Sequence, residues 1–236
     1  MDKPELPHDS MAVVVLGEFD PLLITPRWLR EKNLIGSEDY ESYEIEVISK
    51  GVSSVSYGSL QLKVLPTTLQ VTTDAPNDAE AARDLAVGIL RSGGTRSVGA
   101  LGINRIVHFR AHQGRNHAIG DALAPKEMWS EVLHLPGLQN LNVRGVRNDG
   151  YGGSVNVQVQ PSNLIESGVY ISINDHNNLT LAESPADRDT SPDLEQVDPQ
   201  QSEEKVSVAR EILTNGFSAS RRRAQSIIDR VASMAV

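Results

Sequence analysis

The sequence predicts an α+β protein in which two similar β-α-β-β-β-α halves form an extended antiparallel sheet with helices on one face. Three observations predict this fold. Strand-like and helix-like segments follow one another in an order that occurs twice, the helix-like segments carry single apolar stripes, and glycine-containing turns separate the strand-like runs. The repeat lies in the order of elements and not in the letters, so one irregular α+β domain is the alternative.

Length and composition describe an ordinary globular chain. It has 236 residues, of which 39% are hydrophobic and 22% charged. The net charge of −9 opposes binding to a phosphate backbone, and the lack of cysteine excludes disulfides, thiolate metal sites and cysteine nucleophiles within this chain. No segment reads as a secretory signal or a membrane span, so we expect a cytoplasmic protein without membrane contact or cofactor.

The first half, residues 1–94, begins with the apolar strand Ala12–Leu16. Thr25 followed by Pro26 is a helix start, because threonine caps the first turn and proline fits the first helical position. The other predicted elements of this half are three alternating strands near 43–47, 60–64 and 69–71, and a helix over 82–90.

The second half, residues 97–181, contains a long strand from Val98 to Arg110 and a short helix opened by Pro125. Three further strands are predicted near 141–146, 155–159 and 169–173.

The C-terminal part of the chain divides into a linker and a helical segment. Residues 183–204 hold eight acidic side chains, one arginine and three prolines, which predicts a disordered acidic linker. Residues 205–236 carry two apolar stripes of helical spacing, with Gly216 expected to kink or end the first helix. We expect this segment to pack on its own chain and complete the second half; docking on another subunit is the alternative.

The densest polar group lies on the strand ending at Arg110. Alternation places Asn104, Ile106, His108 and Arg110 on one face, and Arg105 on the opposite, mainly apolar face, where it needs a structural partner. The polar face is either an open sheet surface in water or a binding surface for an acidic group. Arg144 and Arg147 join Asn104, His108 and Arg110 as candidate binding residues.

Acid–base catalysis has four candidates near strand ends: Glu18, Asp20, His108 and Asp175. Asp20 precedes a proline and Asp175 precedes an asparagine-rich turn, where aspartate is also common for local hydrogen bonding. Convergence of the four in a cleft would favour catalysis, and their dispersal would favour an interaction protein.

Three histidines, at positions 108, 112 and 117, lie close together in sequence. Their spacing does not match a helical metal-binding pair, and Arg110 and Arg115 would repel a cation, so no metal site is predicted.

Three stretches together carry a family resemblance. They are Gly17-Glu18-Phe19-Asp20-Pro21 with Pro26-Arg27-Trp28, the run Leu101-Gly102-Ile103-Asn104-Arg105-Ile106-Val107-His108-Phe109, and Ile173-Asn174-Asp175-His176. The pattern covers about 12–181 and resembles a family of uncharacterised, sporadically distributed bacterial proteins. The resemblance implies a bacterial, cytosolic origin and supplies no mechanism; the patchy distribution suggests mobile or defence-related operons.

The sequence therefore favours a non-enzymatic interaction or regulatory subunit of a bacterial complex, with a defence or toxin–antitoxin setting suggested by the resemblance. We expect a protein partner or self-association. One alternative is a hydrolase or nuclease with its active site at strand ends. The other is a nucleic-acid or nucleotide binding module that uses His108, Arg110, Arg144 and Arg147.

Overall fold

The described part of the chain forms one antiparallel sheet of nine strands covered by helices. A computed structural model describes residues 6–111, 115–147, 151–179 and 199–234. Within these ranges the strands are β1 (His8–Phe19), β2 (Glu44–Ile48), β3 (Ser53–Tyr57), β4 (Leu60–Leu65), β5 (Thr68–Thr73), β6 (Thr95–Arg110), β7 (Leu141–Val146), β8 (Ser154–Pro161) and β9 (Gly168–Asn177).

The helices occupy the chain between these strands and after the last of them. They are α1 (Pro26–Glu31), α2 (Ser37–Ser42), α3 (Ala79–Arg91), α4 (Asn116–Leu123), α5 (Glu127–Ser130), α6 (Pro199–Glu211) and α7 (Phe217–Ser233), with a 3₁₀ turn at Pro76–Asp78 and a π-helical segment at Ile212–Gly216. The predicted start of α1 is confirmed, since Pro26 is its first residue and the Thr25 side chain accepts a hydrogen bond from the Trp28 amide.

The strand order, β2-β3-β4-β5-β1-β6-β9-β8-β7, shows how the two halves join. In each half the first strand pairs with the last, β1 with β5 and β6 with β9. The halves meet along β1 and β6, which pair antiparallel from His8 opposite His108 to Phe19 opposite Thr95. The predicted α+β fold with an extended antiparallel sheet is confirmed.

The first half contains one strand more than predicted. Strand β3 lies between β2 and β4, and its sequence is rich in serine. Ser53 and Ser54 are buried there, so this strand lacks the apolar–polar alternation that marks the others. A turn at residues 49–52 connects it to β2.

Alternation along the strands gives the sheet one covered face and one open face. Side chains such as Val13, Val15, Leu69 and Ile171 point to the covered face and are fully buried. The predicted apolar stripe of α3 is buried as well, including Ala82, Leu85, Ala86, Ile89 and Leu90. The opposite face has no helix over it in the described chain, as an antiparallel sheet allows.

The C-terminal helical segment packs on its own chain and crosses both halves. Val208, Ile212, Leu213 and Phe217 belong to the core cluster of the first half and of β6, whereas Ile228 packs in the second cluster with β6, β8, β9 and α4. The segment thus does more than complete the second half. Gly216 does not end the helix, because the π-helical turn there joins α6 to α7 without a break.

The predicted linker is shorter than expected at its C-terminal end. Residues 180–198 lie outside the described ranges, but 199–204 are the first turns of α6 and not linker. Pro199 fits the first helical position, and the glutamines and glutamates that follow are good helix formers. The predicted end of the linker at residue 204 was therefore wrong, because it was inferred from the acidic charge of these residues and not from their helix propensity.

Candidate functional site

The open face of the sheet is unusual for so acidic a chain. Residues directly opposite in antiparallel strands share a face, so the registers assign it residue by residue. Across β1 and β6 to β9 the open face carries His8, Ser10, Ala12, Val14, Leu16, Gly102, Asn104, Ile106, His108, Arg110, Asn142, Arg144, Val146, Ser154, Asn156, Gln158, Gln160, Tyr170, Ser172, Asn174 and His176. No carboxylate occurs among these residues, although the chain carries a net charge of −9. Glu18, two residues after Leu16, adds an exposed carboxylate at the far end of β1.

A row of polar side chains crosses four strands of this face. Arg144 on β7 lies opposite Asn156, which lies opposite Asn174, which lies opposite Asn104. The Oδ1 atoms of Asn104 and Asn174 are buried and have no hydrogen-bond partner among the described residues. Buried polar atoms are normally paired, so this asparagine row has unused hydrogen-bonding capacity.

Gly102 leaves space beside the two amides. A Cβ atom at Gly102 would lie 3.3 Å from the Asn104 Oδ1 and 3.6 Å from the Asn174 Oδ1. The side chains of Asn104 and Asn174 therefore turn toward the same glycine. Next to the row, toward β7, a shallow depression of about 410 Å³ is lined by Asn142, Val143, Arg144, Asn156, Val157, Gln158, Ser172 and Asn174.

His108 lies on the open face as predicted, but it is buried rather than accessible. It is 5% exposed, its Nδ1 lies 2.8 Å from the Ser162 Oγ, and its ring packs edge-on against Tyr170 and His8. Burial, followed by the nearby His8, lowers the pKa of His108. A neutral imidazole in this position supports the local packing more than it attracts an anion.

The candidate binding residues do not all share one surface. Asn104, Arg110 and Arg144 belong to the open face, and both arginines are exposed. Arg147 follows β7 and points to the covered side, where its side chain is 7% exposed and forms an ion pair with Asp175. Arg105 has the predicted structural partner, since it donates to both carboxylate oxygens of Asp9 at 2.9 and 2.7 Å.

The four candidates for catalysis are dispersed. Glu18 is exposed and lies opposite Ser97, at the far end of β1 from His8 and His108, about 33 Å away at ~3.3 Å per residue. Asp20 is exposed and accepts a local hydrogen bond from the Leu22 amide at 2.8 Å. Asp175 faces the covered side, opposite Ile103, and is 2% exposed. The structure therefore places Glu18 and Asp20 near the end of β1 that lies away from His108, and Asp175 on the opposite face of the sheet.

Asp175 instead belongs to a buried charge cluster beneath the C-terminal helix. Its carboxylate forms ion pairs with Arg147 and with Arg223 of α7. Burial, followed by the neighbouring Arg223, lowers the pKa of Arg147 to about 10, so this guanidinium remains charged at neutral pH. The cluster fixes α7 on β9 and on the end of β7, which is a structural role.

A second uncovered surface lies on the segment between α4 and β7. The sequence predicts a short helix here with an apolar stripe, but α5 spans only Glu127–Ser130 and its apolar neighbours are exposed. We define the apolar loop surface as Met128, Trp129, Val132, Leu133 and Leu135, which are 71%, 45%, 74%, 53% and 85% exposed. Leu135 also has a left-handed backbone, with φ of 51°, which is strained for a bulky side chain.

The apolar loop surface borders a cleft on the covered side of the second half. The cleft has a volume of about 720 Å³, and Leu133 and Leu135 line it together with Val159 and Val169. Val159 is the ladder partner of Leu141, the first residue of β7. The apolar loop surface therefore lies next to the edge strand of the sheet.

Some of these residues could have been recognised from sequence. Asn156, Gln158 and Asn174 alternate with valine and isoleucine along β8 and β9, as Asn104 does along β6. The alternation was a usable signal. The exposure of residues 128–135 had no such signal, because an apolar stripe ordinarily predicts burial.

Wider comparisons add no relative. Family models, curated proteins and solved structures yield no match to this chain. Among the described residues no helix is long and apolar enough to cross a membrane, and no three carboxylate or imidazole side chains lie close enough to share a metal ion.

Proposed function

We propose that this chain is a non-enzymatic interaction subunit of a bacterial complex that binds a protein through the apolar loop surface of its second half. One observation carries the proposal: five large apolar side chains within eight residues are 45–85% exposed. Contiguous exposed apolar residues of this kind mark protein–protein contacts, and tryptophan and methionine are enriched there. The defence or toxin–antitoxin setting is proposed on the family resemblance alone.

The dispersal of the catalytic candidates supports the same choice. General acid–base chemistry needs its groups within hydrogen-bond reach of one substrate. Glu18, His108 and Asp175 lie at opposite ends or on opposite faces of the sheet. Hydrolysis at strand ends by these residues is therefore the weaker proposal.

Site-specific photo-crosslinking in the producing cells tests the interaction. A benzophenone amino acid replaces Met128, and in a matched control it replaces Leu22, which is 48% exposed in the first half. We expect a discrete cross-linked protein from position 128 and none from position 22. Equal yields at both positions, or no adduct at position 128, would contradict the proposal.

A second candidate function rests on a different observation. Apart from Glu18 at the far end of β1, the open face of β1 and β6 to β9 carries no carboxylate among the described residues. It carries Arg110 and Arg144, so the part of this face away from Glu18 is locally positive on an acidic chain. We propose nucleic acid as an alternative partner of this face, since amides and arginines contact phosphates and base edges.

Fluorescence anisotropy with labelled duplex DNA and single-stranded RNA decides this second candidate. Binding that weakens with salt, and weakens further in Arg144→Ala but not in Arg91→Ala, would support it. Arg91 is the matched control because it is exposed on α3, on the helix side of the sheet. Equal binding by the two variants, or no binding by the native chain at low salt, would contradict nucleic-acid binding by this face.

A further inference from the structure

We propose that the protein partner is a second copy of this chain, and that two copies join their β7 strands edge to edge into one antiparallel sheet. This inference rests on the proposed function and names the partner of the same surface. It follows from the two edges of the sheet, from Gly145, and from the position of the apolar loop surface.

The two edge strands differ in protection. Strand β2 has glutamates at positions 44 and 46 and an irregular register between Ile45 and Val47, and both features discourage pairing with another chain. Strand β7 pairs with β8 in unbroken register, and its one charged residue, Arg144, points to the open face. On its outer side β7 has no neighbouring strand in the described chain. Of the two edge strands in the described chain, β7 is therefore the one available for strand addition.

Symmetry restricts the register of a β7–β7 pair. In a twofold antiparallel pair, opposite residues lie on the same face, so a residue must lie on the axis. Overlap of five of the six residues of Leu141–Val146, the most that this allows, places either Val143 or Arg144 there. Arg144 against its own copy would bring like charges together, which is unfavourable. With Val143 on the axis, Arg144 instead lies opposite Asn142 of the partner subunit, whose amide oxygen can accept from a guanidinium.

The same register explains Gly145. Glycine weakens a strand interior and often marks a close approach of another group. No described residue of the same chain requires it, because a Cβ at position 145 would meet no described atom closer than 3.9 Å, the Val155 carbonyl oxygen. With Val143 on the axis, Gly145 lies opposite Leu141 of the partner subunit, and the missing side chain gives that leucine room.

The apolar loop surface completes the contact. Leu133 and Leu135 line the cleft that Val159 shares, and Val159 is paired with Leu141. Leu141 lies two residues from the axis, about 7 Å along the strand. The strained, 85% exposed Leu135 is thereby placed near the second copy, where burial of its side chain offsets the cost of its backbone.

Cross-linking tests the register directly, because the native chain has no cysteine. The variant Val143→Cys is compared with Ile45→Cys; both positions are 52% exposed, and they lie on the covered-face side of opposite edge strands. Opposite residues in antiparallel strands are about 4.5–5.5 Å apart between Cα atoms, within disulfide range. Mild oxidation should convert most of the Val143→Cys protein, and only a trace of Ile45→Cys, into a covalent dimer.

Two further variants separate association from folding in sedimentation velocity. Gly145→Val should keep or raise the melting temperature, because valine suits a strand and meets no neighbour, yet weaken the dimer about tenfold or more by displacing Leu141 of the partner subunit. Leu135→Gly should weaken the dimer without lowering the melting temperature, because it removes both side chain and strain.

The outcomes distinguish this inference from the proposed function. A monomeric native protein at all concentrations, equal cross-linking of the two cysteine variants, or a dimer indifferent to Gly145→Val would overturn β7 pairing. If position 128 still cross-linked to a different protein, the interaction subunit would stand with another partner. If position 128 gave no adduct, the proposed function would fail as well.

Discussion

The two halves share an arrangement of strands but differ in the hydrogen bonding of the polar side chains on their open faces. On the open face of the first half, Glu46 accepts hydrogen bonds from Ser54 and Gln61 at 2.8 and 2.7 Å. On the open face of the second half, the Asn104 and Asn174 oxygens are buried without a partner in the described chain. On the open face, the second half therefore retains unpaired buried amides; on the covered face, the Tyr57 hydroxyl of the first half is likewise buried without a partner in the described chain.

The apolar residues show the same contrast. The most exposed large apolar side chains of the first half, Ile45 and Leu22, are 52% and 48% exposed. In the second half Met128, Val132 and Leu135 exceed 70%. The same chain builds both halves on one sheet, so the most exposed large apolar side chains are concentrated in the second half.

The largest expected effect tests whether either half folds without the C-terminal helices. A chain ending at Ala182 lacks Leu213 and Phe217, which pack in the first core, and Ile228, which packs in the second. We expect it to be insoluble or to lose its cooperative melting transition by circular dichroism. A folded, soluble truncation with native melting behaviour would show that the two halves are self-sufficient.

The next effect concerns the buried charge cluster of the second half. Asp175→Ala leaves Arg147 and Arg223 without their carboxylate in a buried site, and should lower the free energy of unfolding by about 3–5 kcal/mol. Urea denaturation measures this loss in the free energy of unfolding. The control, Glu31→Ala, breaks the exposed ion pair with Arg27 and should leave the free energy of unfolding nearly unchanged, because solvent screens this pair. Equal losses in the two variants would mean that Asp175 does not anchor α7.

A smaller effect concerns substitutions on the open face, which should change the free energy of unfolding in different directions in the two halves. Asn104→Ala removes a buried amide whose oxygen is unpaired, so the free energy of unfolding should stay the same or rise by up to ~1 kcal/mol. Glu46→Ala removes the acceptor of two hydrogen bonds and should lower it by about 1 kcal/mol. Urea denaturation of both variants checks the pair, and a loss on Asn104→Ala equal to that of Glu46→Ala would erase the contrast.

The smallest effect is the pH dependence contributed by His108. Its pKa is lowered in the folded protein, so the unfolded chain takes up the proton first as the pH falls through about 6.5. Stability from this group is therefore complete above that pH and decreases below it. The difference in melting temperature between native protein and His108→Gln should shrink from pH 7.5 to pH 5.5. A constant difference would show that His108 titrates normally.

The sequence predicted those parts of the fold that local pattern determines. Alternation assigned the faces of β6 correctly, including the separation of Arg105 from Asn104, and the start of α1 followed from Thr25 and Pro26. Strand β3 was missed because its serines are buried by neighbouring strands, which no local pattern records. Burial depends on tertiary packing, and packing was not available from one sequence.

The candidate site was predictable only in part for the same reason. Asn104, Arg110 and Arg144 were placed on a surface by alternation, and they are there. Asp175 and Arg147 looked like free polar groups but meet each other and Arg223, which is 48 residues further along the chain from Asp175. Long-range ion pairs of this kind leave no trace in local spacing.

The π-helical turn at Ile212–Gly216 determines which side of α7 faces the sheet. Each residue of an α-helix advances the side-chain direction by about 100°, so the turn sets the phase between the stripe at Leu213 and the stripe at Ile228. Deleting a single residue there would rotate Ala224, Ile228 and Val231 away from the sheet, although the amino-acid sequence of α7 itself would be unchanged. For this chain, the number of residues in the π-helical turn is therefore constrained more strictly than which amino acids occupy it.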